Sequence, residues 1–202
     1  MKKDFSFYEF VGILVPGVTL LFFSEVIIER IYGKAIIDFA KLGESFIFLI
    51  IAYGFGHILQ AVGNLFENTL WGIYGGKPTQ WLTKKNRLKI KLFSPEVSEK
   101  IQKKIFSNFG EVQGKDYGRE VYNWLSLKEY VTEKRIDIFN ANYSLFRGLT
   151  VSFYGLTIIT LFLPEWYFLI IPFTLGVLSN FRMLRFAKLY ARELYLTYYN
   201  FQ

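Results

Sequence analysis

With 202 residues, of which 52% are hydrophobic, 20% aromatic and 20% charged, and a formal net charge of +7, the chain gathers its apolar residues into blocks too long for an ordinary soluble domain. It has no cysteine and one histidine, which excludes a disulfide framework, a thiolate nucleophile and the familiar zinc sites. Neither a metal nor a cofactor is expected, and catalysis is not the expected activity.

The first block runs from Phe10 to Phe23, and the pattern stays helical through Glu29. No small-x-small cleavage signal follows Phe23, so this reads as a retained span rather than a signal peptide. Pro16-Gly17 near its middle predicts a kink whose freed carbonyl must be satisfied by a neighbouring helix or by water. Glu25 and Glu29, one turn apart beside Arg30, suit a solvated helix end, or an acidic ring if the protein oligomerises.

The second block, Phe46 to Val62, belongs to a helix expected to begin near Glu44 and to end at Trp71 or Tyr74, where Gly75-Gly76-Lys77-Pro78 stops it. At about 100° per residue, Tyr53, His57, Gln60, Asn64 and Glu67 fall within about 80° of one another as a polar stripe. His57 would lie near mid-membrane and Glu67 about 15 Å closer to the cytoplasm. In hydrocarbon such groups cost several kcal/mol unless they face a partner or water. The stripe is therefore either a hydrogen-bonded seam between helices or protomers, or the lining of a pore or proton path. Beside it, Ala52, Gly56 and Gly63 form a line of small residues that lets backbones approach closely, which puts this helix at the centre of a bundle.

Residues 78–142 form the candidate soluble module. Lys84, Lys85, Arg87, Lys89 and Lys91 alternate with apolar residues up to Phe93, which would lay the apolar side on a sheet or bilayer and turn the cations outward. The first reading for this segment is the ordinary positive-inside flank, with anionic lipid headgroups as what it would contact, and a docking surface for an acidic partner protein is the second. Nucleic acid comes last, because Trp81, Phe93 and Trp124 sit in no recognised binding motif. Ser94-Pro95-Glu96 opens a helix that Gly110 ends, and the capping box Ser126-x-x-Glu129 predicts another that runs into the third span.

The third and fourth blocks fill most of Phe146 to Phe181 and meet at Leu163-Pro164-Glu165-Trp166. Ser152 and Ser179 lie within them in no nucleophile-elbow context. Beyond Phe181 the tail stays helical in pattern. Arg182, Arg185, Lys188 and Arg192 give it a basic side suited to docking on a bilayer or on the middle segment.

The expected fold is all-α and polytopic. Two transmembrane helices lie in residues 1–77, a helical insertion in 78–142, two more transmembrane helices in 143–181, and an amphipathic C-terminal helix in 182–202. From Glu67 to Arg147 there are 15 Lys and Arg against 9 Asp and Glu, whereas the connections at 24–45 and 163–166 are net negative. Basic residues stay on the cytoplasmic side during insertion, so both termini and the insertion are expected in the cytoplasm of a cytoplasmic-membrane protein.

Phe7-Tyr8 ahead of Pro16-Gly17, then Gly56-His57-x-x-Gln60-x-x-x-Asn64, Arg147 and Arg182-x-x-Arg185-Phe186, resemble small prokaryotic four-pass membrane proteins encoded near antiviral defence genes. The resemblance implies a membrane effector held quiet until a cytosolic sensor triggers it, and it implies no catalytic role for His57 or Gln60. The expected function is accordingly an oligomeric, channel-like effector that contacts lipids and a cytosolic partner protein. A non-conducting anchor that recruits such a partner is the alternative, and an intramembrane enzyme is a third.

Overall fold

The computed structural model describes the chain except for residues 1–6, 35, 38–40, 88, 113, 128–133, 162, 164 and 202. It is all-helical, with no strand among the described residues. In chain order the helices are α1 (Phe7–Tyr32), α2 (Leu42–Tyr74), a 3-10 helix (Pro78–Leu82), α3 (Pro95–Phe109), α4 (Gly118–Leu127), α5 (Lys134–Thr160) and α6 (Tyr167–Asn200).

Three stretches among the described residues are long and apolar enough to cross a membrane: Phe10–Tyr32, Ser45–Leu82 and Phe168–Asn200. Helix α5, which carries the third expected span, is not one of them. Arg147, with Asn140, Asn142 and several hydroxyl side chains, dilutes its apolar content.

The helices divide between two compact units, residues 1–65 with 141–183 and residues 66–140 with 184–202. The second unit therefore takes the last turns of α2, which the sequence reading grouped with residues 1–77, and it joins the insertion to the tail.

In the first unit α1 and α2 meet backbone to backbone. A Cβ built on Gly17 would stand 1.8 Å from the Ala52 carbonyl oxygen, and one on Gly56 would stand 2.1 Å from that of Ile13. No side chain fits there, so glycine is required by space rather than by conformation. Helix α5 packs on the same crossing, where a Cβ on Gly148 would come within 2.7 Å of the Pro16 ring. Farther along, Ile27, Phe153 and Leu156 form an apolar cluster with Leu20, Leu149, Leu163 and Leu175 around it.

The second unit is built as a soluble domain is built. Ile101 and Ile105 of α3, Val121 and Leu125 of α4, and Leu194, Tyr195 and Tyr198 of α6 are all fully buried. Helix α3 starts as its sequence predicts: the Ser94 side chain accepts from the Val97 N–H at 3.5 Å, Pro95 takes the first position, and Gly110 closes the helix at φ +78°. The serine of the expected capping box behaves differently. Ser126 lies inside α4, where its hydroxyl donates to the Tyr122 carbonyl at 2.9 Å, so it caps nothing, while Glu129 lies outside the described residues. Helix α4 itself is an element the sequence reading did not separate.

The basic stretch after the 3-10 helix forms no strand. Asn86 holds it as a loop, accepting from the Ile90 N–H at 2.9 Å and donating to the Ile90 carbonyl at 2.6 Å, and Lys89 adopts φ +54°. The alternation survives as burial alone: Leu92 is inside, and Lys84, Lys85, Lys89 and Lys91 are exposed. The tail of α6 packs within the second unit. The Lys104 ammonium donates to the carbonyls of Tyr199, at 3.0 Å, and Phe201, and so seals the negative end of the helix.

Candidate functional site

The polar stripe on α2 does not act as one surface. Gln60 is buried, Tyr53 and Glu67 are half-buried, and His57 and Asn64 are exposed. The small-residue line decides which way is inward. Taking Gln60 as zero, Gly56, Gly63 and Ala52 lie about 40° to 80° to one side of it, and Asn64 and His57 lie about 40° and 60° to the other. Helix contact is centred on the small residues, so Gln60 sits at its edge and the other two fall outside.

Gln60 is the chemical centre of the first unit. Pro16 has no N–H, and this leaves the carbonyl of Gly12, four residues earlier, without its helical donor. The Gln60 Nε2 amide donates to that carbonyl at 2.8 Å and to the Ser144 carbonyl at 2.9 Å. Its Oε1 accepts from Arg147, at 2.8 Å from Nη2 and 3.3 Å from Nε. One amide thereby joins α1, α2 and α5. The Ser152 hydroxyl lies 3.0 Å from both the Gly148 carbonyl of its own helix and the Pro16 carbonyl, and so adds a polar contact between α5 and α1. The donor that the proline demands comes from Gln60.

Arg147 lies over the Tyr143 ring at 5.4 Å, and its stem packs 3.2 Å from where a Gly63 Cβ would stand. It is the residue that composition and spacing failed to single out. A cation at the start of the apolar half of α5, next to Gly148, was the available signal. His57 contacts Tyr53 edge-on, with ring centroids 4.7 Å apart, and Tyr53 stacks on Phe10 at 5.7 Å. Asn64 is exposed among apolar neighbours such as Leu65, which is 78% exposed.

Glu67 pairs with Lys77 at 3.0 Å in the second unit. Of the basic tail, Arg185 and Arg192 are exposed and Lys188 is half-buried, while Arg182 covers the Phe146 ring at 5.6 Å within the first unit. At the far end of α1, Glu25 is buried and its carboxylate accepts from the N–H groups of Ile36 and, at 2.8 Å, Ile37. Glu25 thus holds the chain leaving α1, which removes it from any acidic ring. Arg30 stands 3.8 Å from Glu165.

No family model, curated protein or solved structure matches this chain. Chemistry must therefore be read from the groups themselves. Among the described residues no group of three or more His, Cys, Asp or Glu could hold a metal ion. A cavity of about 130 Å³ in the first unit is lined by Phe23, Ile27, Phe153, Leu156, Phe168 and Pro172, among others, and is almost wholly apolar. Around Gln60 both amide hydrogens are aimed at backbone carbonyls and the amide oxygen at Arg147.

Proposed function

We propose that the chain is an integral protein of the cytoplasmic membrane that crosses it with α1, α2, α5 and α6, assembles into oligomers through α2, and acts as a channel-like effector. The second unit and both ends face the cytoplasm in this reading, where a partner protein biases the assembly between quiet and active states. The observation that carries it is the exposure of His57 and Asn64, seven residues apart on one side of an apolar helix. Facing acyl chains, an imidazole and an amide carry a penalty that a second copy or trapped water removes. Gln60 has both amide hydrogens and its oxygen engaged within one chain, so a conducting path would form between chains and not within one. A partner shifts the equilibrium only through unequal affinity for the two states.

The cysteine-free sequence permits a clean test. Ile50→Cys, an exposed position near the His57 side of α2, should give a disulfide-linked dimer in native membranes, and His57→Leu with Asn64→Leu in that background should weaken it at least about tenfold. Absence of the dimer would remove the oligomer. For the effector role, ion leak and membrane potential are measured in cells that coexpress the genomic partner under triggering conditions, and an unchanged potential would remove conduction.

The closed hydrogen bonding of Gln60 favours one rival, a non-conducting anchor that recruits a cytosolic enzyme through the second unit. In that case His57→Leu leaves recruitment intact, and deleting residues 84–127 abolishes it.

A further inference from the structure

Helix α2 ends in two glycines with positive φ. The Gly76 N–H donates to the Trp71 carbonyl at 2.7 Å and the Gly75 N–H to the Gly72 carbonyl at 3.2 Å, with φ of +111° and +85° respectively. The following chain completes the closure: the Arg87 N–H reaches the Tyr74 carbonyl at 3.1 Å, and the Trp81 indole donates to the Gly76 carbonyl at 2.7 Å. A Cβ on Gly75 would stand 2.6 Å from the Arg87 nitrogen, so the fold-back requires glycine. The Trp71, Gly72 and Tyr74 carbonyls at the negative end of α2 are thereby occupied.

This fold-back gathers Lys77, Lys84, Lys85 and Arg87 around a cavity of about 380 Å³ with Trp71 and Gln80 in its wall, and no Asp or Glu lines it. That volume falls within the roughly 300–1,000 Å³ of small-molecule sites. Lys77 is shared with Glu67, whereas Lys84, Lys85 and Arg87 are exposed and make no ion pair with a carboxylate among the described residues. Lys84 and Lys85 also border a second cavity, with Lys89, Lys91, Phe93 and Gln102, whereas Lys77 and Arg87 line the first alone.

We propose that the cavity at the end of α2 binds the phosphate of an anionic ligand. Several ammonium groups and one guanidinium fork, converging from different positions, suit a tetrahedral oxyanion better than a planar carboxylate. The phosphate chemistry stands apart from the membrane reading, and only a lipid headgroup as its source rests on that reading.

The test uses the full chain in uncharged detergent, with binding measured by thermophoresis. Dihexanoyl phosphatidylglycerol and inorganic pyrophosphate are the probes, and dihexanoyl phosphatidylcholine is the zwitterionic control. Lys84→Gln with Lys85→Gln and Arg87→Gln should weaken binding about 100-fold. Gly72→Leu fills a wall position where a Cβ meets nothing within 4 Å, keeps every cation, and should weaken binding about tenfold. Removing three exposed cations that line neither cavity, Lys100→Gln with Lys103→Gln and Arg119→Gln, should leave affinity within about twofold. Phosphatidylglycerol bound in preference to phosphatidylcholine makes the source a lipid, and pyrophosphate bound alone makes it soluble; either supports the site. Failure of both anionic probes, full binding by Gly72→Leu, or equal loss in the triple variant outside the cavity would overturn it.

Discussion

The two units are both helical, yet they are built in opposite senses. In the second, bulky side chains such as Ile105 and Tyr195 are fully buried, and its exposed large hydrophobics among the described residues are Phe66, Ile73, Val112 and Leu127. In the first, the contact between α1 and α2 is made of glycines and carbonyls, while Phe46, Ile47, Leu49, Ile50 and many like them stand exposed. Water rewards burying large apolar groups, whereas lipid does not, and then close backbone approach and hydrogen bonds hold helices together. The contrast is itself a reading of two solvents.

The largest expected effect comes from breaking the backbone contact. Gly17→Val or Gly56→Val should destabilise the first unit by about 3 kcal/mol or more, read as thermal unfolding in detergent. Gly54→Ala on the same helix meets nothing within 4 Å and should leave stability unchanged or raise it by up to about 1 kcal/mol. Equal damage from both kinds of variant would refute the close-approach account.

In the second unit the corresponding weak point is volume. Ile105→Ala should cost about 2–5 kcal/mol, followed by near-ultraviolet circular dichroism of the packed tyrosines. A Gln60→Leu substitution ranks next, at about 2 kcal/mol, since it strands the Gly12 carbonyl and removes the amide oxygen that accepts from Arg147. Adding Arg147→Leu should recover part of the loss, and additive damage would mean that the two do not act as a pair. Smaller again is Ser94→Ala, at about 1 kcal/mol through loss of the α3 cap.

Smallest is a pH effect confined to the second unit. The Lys115 ammonium, 2.9 Å from Glu120, holds that carboxyl below its ordinary value of 4.5. The pair's contribution is complete above that pH and fades as the pH falls through the lowered value. Lys115 is in turn raised above 10.5 by its bond to Glu120, so its side of the contribution is lost only as pH climbs beyond that. Both groups are solvent-accessible, so the effect on stability is small and vanishes in high salt.

Helix extents were largely legible because their punctuation is local: Gly75-Gly76 ends α2, and Ser94-Pro95 opens α3. The apolar runs likewise announced α1, α2 and α6. Which side of α2 faces inward was harder to read. Polar and small residues both mark candidate interfaces, and periodicity cannot rank them when they lie side by side. The approach of Ala52 to Gly17 ranks them in space. Arg147 was hidden for another reason: its value depends on an amide 87 positions away. Ser126 misled because a capping signature at the end of one helix looks the same as one at the start of another.

Pro16 has a consequence for the order of assembly. Helix α1 leaves the ribosome carrying a main-chain oxygen, on Gly12, with no donor within its own helix, and the amide that satisfies it is encoded 48 residues later. Until Gln60 is in place α1 is chemically unfinished, so a nascent chain arrested before Gln60 should be degraded faster than one arrested after it.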